Sequence, residues 1–366
     1  ISIPLVNFLD NFFQETLVTF TKTLLERIAA PSFLITFISE AIIGGVGTVL
    51  TFLPLIFTTF FFITLLENSG YLPRVAFLLD PITHKIGLHG QSVVPLMLAF
   101  GCNVPAILAT KTLSNKLDRL LIMAMIPFIS CSGRLVVFSF FAITFFSHPT
   151  LIILLLYLIG IMFSLLTAFF LQKSLFKKEL SHFVMDLPSY RLPSLKTLFR
   201  IVYLHSKSFL KRAGTVIFAI SILIWLLLHL PYGEKELENT YAGKIGKTLS
   251  PIFEPIGLGD WRITTSLIPA FLAREAILSN LAVILKVEAK EEHLRKSPLR
   301  EELKIVLHPS SAISFLIFVL IYNSCVATFV TMWKEGSRNL AFLFLLYSFG
   351  LAWFSAFLIY QIKNFF

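Results

Sequence analysis

The sequence predicts an all-α polytopic membrane protein, built from two repeats in which some helices are interrupted at bilayer depth. Three observations support this fold class. Hydrophobic residues make up 56% of the 366 residues and charged residues only 14%, and the mean hydropathy of +0.81 lies outside the range of soluble domains. Apolar runs long enough to cross about 30 Å of hydrocarbon recur along the chain. Two further apolar runs contain helix-breaking residues near their centres.

Six apolar runs are predicted to span the membrane, because each approaches or exceeds roughly 20 residues. They lie near 44–66, 119–146, 149–171, 209–230, 309–332 and 339–361, and the two interrupted runs lie at 88–110 and 263–285. Residues 1–40 mix charged with apolar side chains, which predicts an amphipathic segment on the membrane surface. Glu40 in this segment has no partner that the sequence identifies. Because residue 1 is Ile rather than Met, we expect the chain to be a fragment.

The first interrupted run is the stretch around which the chain is organised. Within Leu96–Thr112, the residues Gly101-Cys102-Asn103-Val104-Pro105 cut an otherwise apolar helix. In hydrocarbon such a break is tolerated only where the opened backbone faces protein or a water-lined path, so it predicts a binding site. A second break, PFISCSGR at 127–134, contains Cys131. We interpret the nearby Arg134 as a helix-end residue that snorkels or forms an ion pair.

The polar loops and the cysteines limit the classes of function that the sequence allows. Residues 172–207 are rich in Lys and Arg and predict a cytoplasmic loop, while 231–262 and 286–308 predict soluble insertions. Because the basic residues lie in loops between apolar runs, the net charge of +10 indicates membrane topology rather than nucleic-acid binding. The three cysteines are odd in number and form no CxxC pair, which disfavours disulfides and a zinc cage. No nucleotide-binding motif is present.

Short motifs recur in order along the chain and predict two repeats, 41–171 and 208–361. The recurring motifs are Gly47-Thr48-Val49 with Gly214-Thr215-Val216, PIxxxIGL at 81–88 with 251–258, Ala99-Phe100 with Ala270-Phe271, and Ser130-Cys131 with Ser324-Cys325. If the interrupted runs are re-entrant hairpins, each repeat crosses three times and the repeats are inverted; if they cross, the repeats are parallel. We predict inverted repeats, with the binding site between them.

The side chains at the breaks indicate a metal ion. In the second repeat, Arg274-Glu275 takes the place of Asn103-Val104. Thiols, a carboxylate, an amide and opened carbonyls suit a borderline divalent transition metal. The predicted metal-path residues are Cys102, Cys131, Cys325, Asn103, Glu67 and Glu275.

Each of these residues also has a plainer interpretation. A cysteine can be a small buried hydrophobe, and Arg274 with Glu275 can serve repeat packing. Glu67 and Asp80, which flank the first interrupted run and could attract cations, can simply be solvated.

Several segments together resemble the membrane domain of FeoB-type ferrous iron transporters. They are 65–113, which contains the first break, PFISCSGRL at 127–135, DLPSYRLPSL at 186–195, FLKRAGTVI at 209–217, residues 251–282, and FVLIYNSCVATF at 318–329. The resemblance implies two gate repeats, and Cys102, Cys131 and Cys325 match thiols proposed to line the Fe²⁺ path. The chain departs from the family's pattern at Arg274, where Lys is usual, and at Ser324, where Pro is usual.

The resemblance also implies partners. Fe²⁺ would be the transported substrate, in the bacterial inner membrane. The family's GTP-binding domain is absent from this chain, so GTP and Mg²⁺ would enter only through that domain, and the chain itself is not predicted to be an enzyme. Small cytoplasmic accessory proteins and a homo-oligomer are further expectations. The alternatives are an ion-coupled transporter of an organic solute such as a nucleoside, and a non-transporting membrane module.

Overall fold

The structure is a computed structural model that describes residues 12, 16–27, 31–85, 88, 90–113, 115–175, 190, 193–231, 237–271, 274, 276–285, 298–322 and 325–365. These residues are helical and contain no strand, which confirms the all-α prediction. Four helices among them are long and apolar enough to cross a membrane, so the protein is a multi-pass membrane protein. These helices are Lys116–Phe145, Pro149–Lys173, Pro309–Glu335 and Arg338–Ile362.

The chain forms two compact units. The first contains Ile1–Tyr71 with Tyr190–Lys244, and the second contains Leu72–Ser189 with Ile245–Phe366. Each unit draws on both predicted repeats. The repeat boundaries, the loop and insertion boundaries and the inverted orientation stay predictions.

The first unit is built from amphipathic helices and the first helix of each predicted repeat. Its helices are Val18–Arg27, Ser32–Thr36, Phe37–Gly44, Gly45–Asn68, Leu195–Phe209, Leu210–Gly214, Thr215–His229 and Leu237–Asn239, of which Phe37–Gly44 and Leu210–Gly214 are π-helical. A Cβ atom added at Gly45 would lie 2.7 Å from the Ser221 hydroxyl, and one at Gly214 would lie 3.3 Å from Val49. Glycine therefore allows these helices to approach closely.

Glu40 has partners that the sequence did not reveal. Its Oε1 lies 2.6 Å from the Lys22 ammonium. Its Oε2 accepts a hydrogen bond from Trp225 Nε1 at 3.3 Å and lies 3.5 Å from His229 Nε2. The π-helix Phe37–Gly44 thus presents a carboxylate that is bound by side chains from two distant segments.

The second unit contains the interrupted runs and the long helices. Its helices are Tyr71–Lys85, Gly90–Ser92, Val93–Ala99, Asn103–Ala109, Thr110–Thr112, Lys116–Met125, Ile126–Phe128, Ser132–Phe145, Pro149–Leu175, Tyr241–Phe253, Glu254–Ile256, Trp261–Ala270, Ala276–Ile284, Pro298–Val306, Pro309–Ile321, Val326–Glu335 and Arg338–Phe365. Tyr71–Lys85 and Tyr241–Phe253 each begin just before a unit boundary and lie mostly in the second unit.

Each interrupted run folds into a helical hairpin. In the first hairpin, Val93–Ala99 packs against Asn103–Ala109; in the second hairpin, Trp261–Ala270 packs against Ala276–Ile284. A seven-residue helix is only about 10 Å long, far short of the hydrocarbon thickness. The hairpin alternative is therefore favoured over two further spans.

Two of the long helices are broken near a cysteine. In the first broken helix, Lys116–Phe145, a 3₁₀ turn at Ile126–Phe128 precedes the break; the second broken helix, Pro309–Glu335, is interrupted after Ile321. They pack against the straight helices Pro149–Leu175 and Arg338–Phe365, respectively. Gly160 on the first straight helix allows this approach, because a Cβ atom there would lie 2.8 Å from the Phe128 carbonyl oxygen.

A partly buried ion cluster joins the two repeats within the second unit. The Glu335 side chain, 7% exposed, lies at the end of the second broken helix, 2.8 Å from Lys111 and 3.3 Å from Arg119. Arg119 also donates to the Glu335 carbonyl oxygen at 2.8 Å. Two basic residues of the first repeat are thus bound by a carboxylate of the second.

Candidate functional site

Each of the three cysteines lies at a helix break, in the same local position relative to the helix that follows. Cys102, Cys131 and Cys325 are the N-cap residues of Asn103–Ala109, Ser132–Phe145 and Val326–Glu335, and all three have extended backbones. Each thiol is half-buried, and none belongs to a disulfide. Each break therefore places a cysteine sulfur at the start of the helix that follows it.

Each broken helix is bonded to the tip of the hairpin from its own repeat. Ser132, which follows a cysteine, donates to the Gly101 carbonyl through its backbone N–H at 3.4 Å and its hydroxyl at 3.1 Å. Val326, which also follows a cysteine, donates its N–H to the Phe271 carbonyl at 2.9 Å. These bonds satisfy backbone groups that the breaks expose, as a low-dielectric setting requires.

Arg134 joins the two broken helices. Its side chain is 0% exposed and donates to the carbonyl oxygens of Ile129 at 3.2 Å and Tyr322 at 3.3 Å. Ile129 and Tyr322 are the C-cap residues of Ile126–Phe128 and Pro309–Ile321, where partial negative charge favours a cation. Arg134 is a helix-end residue as predicted, but the prediction that it snorkels is wrong, because its side chain is fully buried and binds main-chain carbonyl oxygens.

A second buried arginine reaches a thiol. Arg274, in the break of the second hairpin, is 3% exposed, and its Nη1 donates to Cys131 Sγ at 3.5 Å. Arg134 lies within electrostatic range of Arg274, Cys131 and Cys325. Side chains from the second hairpin and from both broken helices therefore lie close together in the second unit.

Both hairpin tips bury polar atoms that the described residues leave unsatisfied. Asn103 is 3% exposed, and neither its amide oxygen nor its amide nitrogen has a hydrogen-bond partner among those residues. Arg274, at the equivalent position of the second repeat, likewise leaves Nε and Nη2 without one. Buried polar atoms are rarely left so. Among the described residues only Asn103 and Arg274 leave two such side-chain atoms each, which marks both positions as candidates for a functional role.

The other predicted site residues are placed differently. Glu67 is exposed near the end of Gly45–Asn68 and belongs to the first unit, whereas the thiols belong to the second. Glu275 and Ser324 lie outside the described residues. Asp80 accepts a hydrogen bond from the Gly90 N–H at 2.6 Å, which gives it a structural role. In the part of the chain that the structure describes, no three His, Cys, Asp or Glu side chains are grouped to hold a metal ion.

An aromatic pair beside the first break was missed by the sequence reasoning. The rings of Phe100 and Tyr157 stack, with centroids 6.3 Å apart and an interplanar angle of 6°. Phe100 directly precedes the break, but Tyr157 belongs to the helix Pro149–Leu175. No local signal in the sequence joins the two.

Comparisons with known proteins identify the family. The Gate family model, described as nucleoside recognition, matches residues 49–146 and 210–339, and the model for the C terminus of ferrous iron transport protein B matches 153–204. The Fe(2+) transporter FeoB of Staphylococcus aureus strain MSSA476 is 37% identical over 370 residues, covering 100% of this chain. The chain belongs to the FeoB family.

Other FeoB relatives match in the same way. FeoB of Campylobacter jejuni is 39% identical over 326 residues, covering 86% of this chain and 53% of that protein. A transport protein A and FeoB fusion protein of Porphyromonas gingivalis is 36% identical over 371 residues, covering 89% of this chain and 44% of that protein. The chain therefore spans about half the length of the FeoB relatives it matches. No solved structure matches it.

Proposed function

We propose that this chain passes Fe²⁺ across the bacterial inner membrane along a path lined by Cys102, Cys131 and Cys325. The observation that carries the proposal is the placement of these three thiols at helix breaks whose backbones are bonded to the hairpin tips. Names of relatives with 37–39% identity support the choice of ion.

The chemistry of the donors favours ferrous iron. Thiolate ligands select against hard ions such as Mg²⁺ and Ca²⁺, and a ferric ion would tend to oxidise them. A transport site must also release its ion, so a loose arrangement suits it better than a closed cage. The amide oxygen of Asn103 is proposed as a further ligand, and Glu67 and Glu275 as supporting carboxylates.

The whole protein's coupling is part of the proposal. The relatives are about twice as long as the matched region, and the resemblance implies a GTP-binding domain with its Mg²⁺. We propose that this domain gates the path, with small cytoplasmic accessory proteins and a homo-oligomer as further partners. The described chain would then supply the path and no enzymatic activity of its own.

A nucleoside transporter is the second candidate, and three observations favour it. The Gate family model is described as nucleoside recognition, the stacked pair Phe100 and Tyr157 lies beside the first break, and Asn103 has an unsatisfied amide. Aromatic surfaces and a few placed polar groups are typical of small-molecule sites. Three thiols at equivalent breaks are better explained by a metal ion.

Anaerobic uptake into proteoliposomes separates the two candidates. We expect saturable ⁵⁵Fe²⁺ uptake that about a hundredfold excess of Mg²⁺ lowers less than about twofold, because sulfur ligands bind Mg²⁺ poorly. Uridine and adenosine at millimolar concentration should leave it unchanged. The protein is tested as this chain and as the longer protein that includes the GTP-binding domain.

Two results would contradict the proposal. Uptake of radiolabelled uridine without uptake of Fe²⁺ would favour the nucleoside candidate. If the longer protein is folded and takes up neither substrate, the remaining alternative is a membrane module that does not transport.

A further inference from the structure

The two buried arginines of the candidate site are held in different ways. Arg134 donates to two main-chain carbonyl oxygens, both at helix C-termini, and only its Nε lacks a partner among the described residues. Within the described residues, the Arg274 side chain has one hydrogen bond, to the Cys131 sulfur at 3.5 Å, while its Nε and Nη2 have no partner. Because sulfur is a weak acceptor, Arg274 is held less firmly than Arg134.

We propose that Arg274 is a tethered cation, which occupies the Cys131 thiol in this state of the protein and leaves it when a divalent metal ion binds. This inference rests on the proposed function, because it assigns the same thiol to the metal. It makes Arg274 a residue that determines which ions can enter, rather than a metal ligand or a part of the repeat packing.

Charge and geometry both support displacement. A guanidinium within hydrogen-bond distance of a sulfur and a metal ion bound to that sulfur would repel each other strongly in a buried setting. The Arg274 side chain is long, and it starts from the break between Trp261–Ala270 and Ala276–Ile284 rather than from within either helix. Because Arg274 belongs to neither helix, a turn of its side chain does not require a helix to unwind.

Displacement also sets a threshold for the entering ion. An ion that binds sulfur weakly, such as Na⁺, K⁺ or Mg²⁺, gains too little to replace the guanidinium. A borderline divalent ion such as Fe²⁺ gains enough. The tethered cation would thus exclude abundant hard cations from the path without a closed metal cage.

The first test locates the positive charge at the thiol. In the full-length protein with Cys102→Ser and Cys325→Ser, Cys131 is modified with an anionic or a cationic methanethiosulfonate reagent of similar size. We expect the ratio of anionic to cationic rates to fall at least about fivefold in Arg274→Gln, because the positive charge bonded to the thiol is lost while the more distant Arg134 remains. Arg274→Lys keeps the charge and should keep most of the ratio. An unchanged ratio in Arg274→Gln would overturn the proposal.

The second test measures displacement by protection of Cys131 with anaerobic Fe²⁺. The half-protecting concentration should fall at least about threefold in Arg274→Gln, since no resident cation has to leave. Equal or weaker protection in Arg274→Gln would overturn the tethered cation while leaving the metal path intact. Protection in neither protein would overturn this inference, whereas Fe²⁺ uptake by the protein that keeps all three thiols tests the proposed function separately. Each variant is first checked for monodispersity, and Arg274→Lys serves as the charged control.

Discussion

Replacing Cys102, Cys131 and Cys325 together by serine is expected to reduce saturable Fe²⁺ uptake to less than about a tenth of the original rate. A serine hydroxyl is a harder donor than a thiol and does not ionise near neutral pH, so each replacement removes one favourable contact along the path. The volume change is small, and the extended N-cap backbone at each position accepts serine readily. The measurement is initial-rate ⁵⁵Fe²⁺ uptake into proteoliposomes under anaerobic conditions.

The matched control removes sulfur elsewhere in the same unit. Met97→Leu with Met162→Leu replaces two exposed sulfur side chains, one on the first hairpin and one on the helix Pro149–Leu175. This variant should transport Fe²⁺ at the original rate. If the serine variant is well folded and transports as fast as the control, the thiols do not line the path.

Replacing Arg134 by Met is expected to lower the stability of the protein by about 2–3 kcal/mol. The change removes two charge-assisted hydrogen bonds and leaves the Ile129 and Tyr322 carbonyl oxygens open at helix C-termini. Removing a buried charge recovers part of this loss, but no water at bilayer depth replaces the donors. We expect the apparent melting temperature in detergent to fall by roughly 5 °C.

Two further variants interpret this result. Arg338→Met removes an exposed arginine whose guanidinium lies 5.2 Å from the Trp333 ring centroid, and it should change the melting temperature little. The melting temperature of Arg134→Lys should lie between those of Arg134→Met and Arg338→Met, because one ammonium cannot reproduce the two fixed hydrogen bonds of the planar guanidinium. A melting temperature for Arg134→Met equal to that of Arg338→Met would show that Arg134 does not join the broken helices.

The breaks could be predicted because their causes are local. Gly101 and Pro105 interrupt one apolar run and Pro127 another, and each acts on the backbone next to it. The structure places the hairpin and the 3₁₀ turn at these points. The recurring motifs related Cys131 to Cys325, the resemblance grouped both with Cys102, and all three proved to be N-cap residues.

The contacts between distant segments could not be predicted. The bond from Arg134 to Tyr322 joins residues of different repeats, so a prediction from neighbouring residues placed the arginine at the surface. Glu40 seemed isolated for the same reason, although Lys22 and His229 bind it. Such pairs depend on how the helices pack, which hydrophobic periodicity does not specify.

In the candidate site, too, the local features could be predicted and the contacts between distant segments could not. The recurring motifs placed Arg274 opposite Asn103, and the structure buries both. The sequence did not indicate that the Arg274 guanidinium would reach the Cys131 thiol, because that contact requires the second hairpin to lie beside the first broken helix. The assignment of metal ligands, including Glu67 and Glu275, stays a prediction.

The most direct test of a thiol-lined Fe²⁺ path is X-ray absorption at the iron K-edge on the full-length protein loaded anaerobically with about one equivalent of Fe²⁺. We predict an iron–sulfur scattering contribution in the original protein that disappears in the Cys102→Ser, Cys131→Ser and Cys325→Ser variant. Iron surrounded only by oxygen and nitrogen in both proteins, at equal occupancy, would contradict the path.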